Sequence, residues 1–226
     1  MIRTSGDTNL WACMTAGCPA PEPPPHICHA FTIAESMAAT FDRNVELVIR
    51  RGPLEGLGGF SPVLSYREVA VVLAGFRVPM PDISQQELVD IIDNRRLPLF
   101  AHSGDLNRRA LDLVLRQLGV PNDDGAWHRF PTYRTLARAA QREPGALVFG
   151  LRGLASAQYG LRPLHIAGCD PAVDRERYPL GYEVHLYRRL DEPRRPEIDA
   201  YVQRICQRIA HDQATVFRVR ERRAVA

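Results

Sequence analysis

The sequence predicts an α/β protein whose mostly parallel sheets are flanked by helices. The first observation is the order of its segments, which is mainly a strand followed by a helix, repeated along the 226 residues. The second is that apolar runs of strand length alternate with segments whose apolar residues recur at helical spacing. The composition, 45% hydrophobic and 24% charged, is that of an ordinary globular protein. A chain of this length can form one large domain or two small ones.

The first part of the chain predicts strands that end in turns. Residues 2–7 read as a strand entering a turn at Gly6, and residues 9–16 can begin a helix. Prolines between residues 19 and 25 stop that helix, because proline lacks the N–H donor and clashes with the preceding turn. Val45–Ile49 and Glu68–Ala74 predict two more strands, with a glycine-rich loop between them.

The middle and last parts carry the clearest helix signals. Ser84 and Glu87 form an S-x-x-E capping box that begins a helix, and Gly119 is placed to end the helix after Asp105. Pro196 suits the first turn of a final helix. The first of these helices is expected to bury Leu88, Ile91 and Ile92. Between the helices, strands are expected at residues 97–101, 146–149, 164–167 and 182–187, with a further helix over residues 132–143.

One turn type recurs where a predicted strand leads into a predicted helix. It occurs as Ser5-Gly6-Asp7-Thr8 and again as Ser103-Gly104-Asp105. Such turns place free backbone N–H groups and hydroxyls at a helix N-terminus, where the helix dipole favours negative charge. Helix caps use the same residues for stability alone, so one such turn is weak evidence. Two of them, at strand ends in different halves of the chain, predict an anion held between the halves.

Five segments of the chain match, in the same order, the segments of one known family. They are residues 2–10, 45–54, 83–92, 143–150 and 178–187. The second ends in Arg-Gly-Pro-Leu, where that family reads R-P-L, and the third matches a helix of the form L-[ST]-x-x-[EQ]-L. The fourth and fifth are similar to x-P-G-A-I-G-Y and Y-P-L-x-R-P-L-Y-L-Y. On these segments and their shared order, the chain resembles the phosphate-type family of periplasmic substrate-binding proteins over nearly its whole length.

The resemblance implies a two-lobed periplasmic-binding-protein-like fold of type II, with two hinge crossovers. Residues 1–74 and 165–226 would form lobe one, and residues 75–164 would form lobe two. The implied function is non-enzymatic binding of a small oxyanion, phosphate by default, in a cleft between the lobes that closes by hinge bending. The protein would be the monomeric substrate-binding component of an ABC importer, and its partner would be an ABC permease or a membrane sensor. It would be periplasmic if an export signal was removed, and otherwise cytoplasmic.

The resemblance also implies a set of ligand-binding residues, with departures from the family pattern. The arginine usual at the second turn is missing, and the candidates to replace it are Arg108 and Arg109, of which Arg108 is included among the expected ligand-binding residues. The aspartate that accepts the proton of monohydrogen phosphate is replaced by Arg51-Gly52. Either Asp7 or Asp105 supplies that acceptor, or the ligand is not phosphate. The expected ligand-binding residues are Ser5, Gly6, Asp7, Thr8, Ser36, Arg51, Ser103, Gly104, Asp105 and Arg108.

Other classes of function have weaker signals. A net charge of +3 gives no footprint for nucleic acid. His26-Ile27-Cys28-His29 offers soft metal ligands but lacks a paired cysteine spacing, so we expect no metal and no other cofactor. His102 beside Ser103 invites a hydrolase interpretation, but no G-x-S-x-G elbow is present, and we expect no catalytic residues. The alternative is a cytoplasmic or membrane-linked sensor or regulatory module of the same fold, binding another oxyanion or small ligand.

Overall fold

The computed structural model describes residues 3–7, 26–30, 38, 41–42, 44–53, 59–75, 82–143, 145–151, 160–174, 176–190 and 196–211. The chain divides into two compact units. Unit 1 combines residues 1–67 with 183–226, and unit 2 is residues 68–182. The boundaries expected from the sequence were 74/75 and 164/165. The structural boundaries differ because each lies within or beside a continuous strand, and a sequence pattern does not mark a boundary there.

The elements have the following bounds. The strands are β1 (Arg3–Asp7), β2 (His26–Ala30), β3 (Leu47–Arg51), β4 (Phe60–Gly75), β5 (Asp82–Ile83), β6 (Leu99–His102), β7 (Trp127–Phe130), β8 (Leu147–Leu151), β9 (Leu161–Pro163), β10 (His165–Ile166) and β11 (Gly181–Arg189). The helices are α1 (Gln85–Asp93), α2 (Asp105–Leu118), α3 (Tyr133–Arg142) and α4 (Pro196–His211), with a single 3-10 turn at Asp124–Ala126.

Unit 1 contains a sheet in the order β2-β1-β3-β11. β1 pairs in parallel with β2 and with β3, whereas β11 runs antiparallel to β3. Leu47, Val48 and Ile49 have no exposed surface, so β3 is buried on both faces, as expected of a central strand. The carboxyl ends of the three parallel strands meet at one edge of this sheet.

A buried arginine fastens the opposite edge of the unit 1 sheet. Arg189, at the end of β11, is 8% exposed and donates to the carbonyl oxygens of Val45 (2.8 Å) and Asp42 (2.6 Å). Its guanidinium also lies 4.5 Å from the ring centre of Phe60. These contacts satisfy a charge that would be costly to bury alone. Arg189 therefore has a structural role in joining β11, β4 and the segment before β3.

Unit 2 contains a sheet in the order β4-β8-β6-β7, with β9 also paired to β4. β6 pairs in parallel with β7 and β8, and β4 runs antiparallel to β8. Side chains of neighbouring residues point to opposite faces of a strand. Val71, Phe100 and Val148 cluster with buried residues of α3. Val72, Leu99 and Leu147 line a small apolar cavity together with residues of α1 and α2. Helices α1 and α2 therefore cover one face of the sheet, and α3 covers the other.

The mixed α/β architecture that the sequence predicts is confirmed. The capping box of Ser84 and Glu87 is present at α1, and Gly119 ends α2 in the left-handed conformation (φ 72°). β4 begins eight residues before the predicted Glu68, and β7 was not predicted. The helix predicted at residues 9–16 lies outside the described residues. Among the described helices, none is both long and apolar enough to cross a membrane.

Candidate functional site

The turn between β6 and α2 in unit 2 begins a helix without a side-chain cap. Gly104 is the N-cap residue, in an extended conformation, and α2 starts at Asp105. By contrast, α1 is capped by the hydroxyl of Ser84 and α3 by that of Thr132. The first N–H groups of a helix have no partner within the helix. At α2 the N–H of Asn107 donates to the carbonyl oxygen of Gly104 (3.0 Å), and no side chain caps the helix at the positive end of its dipole.

A network of side chains surrounds this turn. The backbone N–H of Gly104 donates to Nδ1 of His102 (2.9 Å), and Nδ2 of Asn107 lies 3.3 Å from the same nitrogen. The hydroxyl of Tyr133 donates to Oδ1 of Asn107 (2.8 Å). The rings of His102 and Tyr133 are in contact, with centres 4.5 Å apart. The start of α3 therefore holds the start of α2 in place through Asn107 and His102.

The imidazole of His102 acts as a neutral acceptor in this network. Burial lowers the pKa of His102 from its ordinary value of 6.5, and a hydrogen bond to the backbone of Pro131 opposes that effect. Since proline has no N–H, the ring must donate to the Pro131 carbonyl. The ring proton is then on Nε2, which leaves Nδ1 to accept from Gly104. The turn is therefore built around an uncharged histidine at neutral pH.

Ser103 completes the turn and links two strand ends. Its backbone N–H donates to the carbonyl oxygen of Phe130 (2.8 Å), which joins the end of β6 to the end of β7. Its side chain is exposed. The hydroxyl of Ser103 is therefore available at the edge of the sheet where α2 and α3 both begin.

The carboxyl edge of the unit 1 sheet brings two predicted segments together. Gly6 in β1 lies opposite Ile49 in β3, so Asp7 and Arg51 end neighbouring parallel strands. Gly6 has φ 127°, and a Cβ there would lie 2.2 Å from the carbonyl oxygen of Ile49. This close approach gives Gly6 a packing role in unit 1. Arg51 is 6% exposed, which is unusual for a charged side chain.

The predicted ligand-binding residues differ in their exposure and in how much of each residue the structure describes. Ser103 and Gly104 lie at the α2 turn, and Arg108 is exposed on the first turns of α2. Ser5 has no exposed surface. For Asp7 and Asp105 the backbone is described but not the side chain, and the segments with Thr8 and Ser36 lie outside the described residues. The ligand-binding role of these residues stays a prediction.

The cluster of His102, Asn107 and Tyr133 is not apparent from the sequence. There, His102 suggests only a partner for a nucleophilic serine. Tyr133 is 26 residues from Asn107, and only the parallel pairing of β6 with β7 brings them together. The available signal was an asparagine one turn into a helix that follows a Ser-Gly turn. Within the residues that the structure describes, no group of three or more His, Cys, Asp or Glu side chains is placed to hold a metal ion.

The chain has the type II periplasmic-binding-protein fold, a fold of ligand-binding proteins. A protein assigned as a phosphate ABC transporter substrate-binding protein, from Clostridium perfringens and with bound phosphate, matches with a TM-score of 0.70 at 10% identity. The match covers 96% of this chain and 98% of that one. An ABC-type phosphate transport receptor from Vibrio cholerae matches with a TM-score of 0.65 at 8% identity, over 91% and 93% of the two chains.

An effector-binding domain has the same fold. The effector binding domain of QuiR in complex with shikimate matches with a TM-score of 0.57 at 11% identity, over 91% of this chain and 95% of that one. No protein-family model matches the sequence, and neither does any curated protein. At these identities the structural matches establish the fold and leave the ligand to be inferred from the site.

Proposed function

We propose that the chain is a non-enzymatic binding protein for a small oxyanion, phosphate by default, that delivers its ligand to an ABC importer. The observation that carries the proposal is the start of α2, where Gly104 leaves the helix without a side-chain cap. The exposed hydroxyl of Ser103 lies beside this uncapped helix N-terminus. Neighbours of the same fold are named as phosphate receptors, which supports phosphate as the first ligand to test.

The electrostatics of this turn suit an anion. An anion at a helix N-terminus gains about 0.3–1 kcal/mol, and up to about 2 kcal/mol where the geometry is partly buried. Neutral hydrogen-bond donors add to this without the cost of burying a cation. His102 is neutral and accepts from the N–H of Gly104, so it orients the turn, and the ligand is left to the other donors at this end of the helix and to the Ser103 hydroxyl.

The test is a thermal-shift titration with phosphate, arsenate, sulfate and molybdate. We expect at least one of these anions to raise the melting temperature of the wild type in proportion to its saturation. Ser103→Asp places a carboxylate beside the helix N-terminus, so we expect it to abolish that rise. Ser84→Ala removes the cap of α1 and is the matched control. It should lower the melting temperature without ligand but keep the rise on adding the anion.

Two results would contradict the proposal. One is a wild type that none of the four anions stabilises. The other is a Ser103→Asp variant that folds, by circular dichroism, and is stabilised by the anion as strongly as the wild type is. The second result would remove the α2 turn from the site while leaving anion binding elsewhere in the chain.

A second candidate function is effector binding in a regulatory protein. The match to the QuiR domain favours it, because that domain is in complex with shikimate, an organic carboxylate. A carboxylate and an inorganic oxyanion can use the same helix donors. If shikimate stabilises the wild type and the four inorganic anions do not, the regulatory function is the better one. Cell fractionation separates the two further, since an importer component is periplasmic and a regulator is cytoplasmic.

A further inference from the structure

Helix α3 carries a row of exposed arginines. Arg134, Arg138 and Arg142 lie four residues apart, and all three are exposed. Residues four apart lie on one face of a helix with a rise of about 6 Å between them, so the row extends about 12 Å. The helix contains no acidic residue. The solvent face of α3 therefore carries a row of positive charge that slants around the helix by about 40° at each step of four residues.

This row has no partner within the part of the chain that the structure describes. None of the three guanidinium groups forms an ion pair or a hydrogen bond with another described side chain. Like charges four residues apart on a helix repel each other. The arrangement therefore costs stability in the isolated chain, and it would gain from a facing row of carboxylates.

We propose that the outer face of α3 is a docking surface for an acidic helical segment of a partner protein. Carboxylates four residues apart on a facing helix have the same spacing of about 6 Å. Each guanidinium is a planar fork that can bind one carboxylate through two parallel hydrogen bonds. Charge complementarity along the row fixes the register of the partner helix.

The rest of α3 disfavours the other occupants. Leu136, Ala137 and Ala140 are buried in the core of unit 2, so the helix has no free apolar face to insert into a bilayer. The one aromatic side chain of α3, that of Tyr133, is bonded to Asn107 and packed on an imidazole, so it is not free to stack on a nucleobase. These features leave electrostatic pairing with a protein segment as the binding mode that the surface supports.

A second copy of the chain is a poorer occupant. Its acidic counterpart would be α1, which carries Glu87, Asp90 and Asp93. Glu87 already accepts from the backbone of Ser84, and Asp90 accepts from Gln86. Since α1 and α3 lie on opposite faces of the unit 2 sheet, pairing between copies would run head to tail, which gives a ring or an open filament and not a symmetric dimer.

The test is fluorescence anisotropy with the full chain and a labelled alanine-based helical peptide whose three glutamates lie four residues apart. We expect saturable binding by the wild type at low salt. The variant with all three arginines replaced by glutamine should bind about tenfold more weakly, because three exposed ion pairs contribute on the order of 1–2 kcal/mol together. The corresponding lysine variant should keep most of the affinity. The substitutions are Arg134→Gln, Arg138→Gln and Arg142→Gln.

Two controls separate docking from net charge. The first is a variant that loses three exposed arginines elsewhere in unit 2, which should bind the peptide as the wild type does. The second is a peptide of the same composition whose glutamates are spread around the helix, which should bind the wild type more weakly. The control substitutions are Arg96→Gln, Arg116→Gln and Arg177→Gln.

The proposal is overturned by any of four results. The first is that the wild type does not bind the peptide. The second is that the α3 variant and the control variant, each with three arginines replaced by glutamine, lose the same affinity. The third is that the wild type binds both peptides equally well. The fourth is that replacing the three arginines of α3 by glutamine weakens the binding of another occupant more than it weakens the binding of the peptide. Duplex DNA, phosphatidylglycerol vesicles and self-association measured by sedimentation are the three occupants to compare.

Discussion

Gly6 and Gly119 both have positive φ angles, but a methyl group would meet different surroundings at the two positions. At Gly6 it would overlap the carbonyl oxygen of Ile49, whereas at Gly119 it would meet nothing within 4 Å. Gly119→Ala should therefore cost about 1 kcal/mol, from backbone strain alone. Gly6→Ala should cost about 3 kcal/mol, because β1 and β3 must also separate. Urea unfolding of the two variants measures the difference, and equal costs would show that β1 and β3 are not held this closely.

His102 gives the stability of the protein a dependence on pH. Its pKa in the folded chain is lowered by burial, whereas in the unfolded chain it is about 6.5. As the pH falls, the unfolded chain therefore takes up a proton first. The contribution of His102 to stability is complete above pH 6.5 and is lost as the pH falls towards the folded pKa.

Unfolding free energies measured between pH 8 and pH 5 test this dependence. They should decrease below about pH 6.5. His102→Gln should make the decrease shallower. His185, whose pKa burial also lowers, accounts for a further part, so His185→Gln should do the same. A slope unchanged by His102→Gln would mean that the imidazole is as easily protonated in the folded chain as in the unfolded one.

At the scale of the elements, the three helices of unit 2 begin in different ways, and their stability should reflect it. The hydroxyls of Ser84 and Thr132 accept from backbone N–H groups at 3.1 Å, whereas the Ser103 hydroxyl caps nothing at the start of α2. Ser84→Ala and Thr132→Ala should each cost about 1 kcal/mol. Ser103→Ala should change stability by less than about 0.5 kcal/mol while weakening anion binding. Chemical denaturation with and without phosphate compares the three, and a Ser103→Ala cost as large as the others would assign Ser103 a structural role.

Local chemistry explains which elements the sequence predicted well. The start of α1 at Ser84 and the end of α2 at Gly119 depend on hydrogen bonds within a few residues, and both are confirmed. The early start of β4 at Phe60 was missed, because Ser61 and Pro62 read as a turn and only pairing with distant strands makes them a strand. The bond from Tyr133 to Asn107 was missed for the same reason. The Ser-Gly-Asp turn at residues 103–105 is visible in the sequence. Only the structure shows that α2 begins there without a side-chain cap, whereas α1 and α3 have one.

At the scale of the whole molecule, two strands carry the chain from one unit to the other. β4 passes from unit 1 into unit 2 near Arg67, and β11 enters unit 1 again near Glu183. The hydroxyl of Ser65 lies 2.6 Å from Nδ1 of His185, and the N–H of Ala70 donates to the carbonyl oxygen of Leu180 (2.8 Å). These two pairs share one antiparallel register, because the five steps forward from Ser65 to Ala70 match the five steps back from His185 to Leu180. The same register places Arg67 opposite Glu183.

The division into two compact units predicts that each unit can fold without the other, and the register of β4 and β11 shows where unit 1 can be rejoined. Residues 68–182 hold their own sheet, three helices and buried core, so we expect the excised fragment to fold cooperatively. In the remaining chain, joining Arg67 to Glu183 through Asn-Gly should close β4 and β11 into a hairpin, because a two-residue turn of this kind joins directly opposed residues. Circular dichroism melts and amide NMR dispersion of the two proteins measure the outcome. If residues 68–182 unfold without a cooperative transition while the intact chain has one, the core of unit 2 depends on unit 1. The control for the Asn-Gly joint is a variant joined through Asn-Gly-Gly. The added residue disrupts the two-residue turn, so this variant should have a lower melting temperature than the unit joined through Asn-Gly.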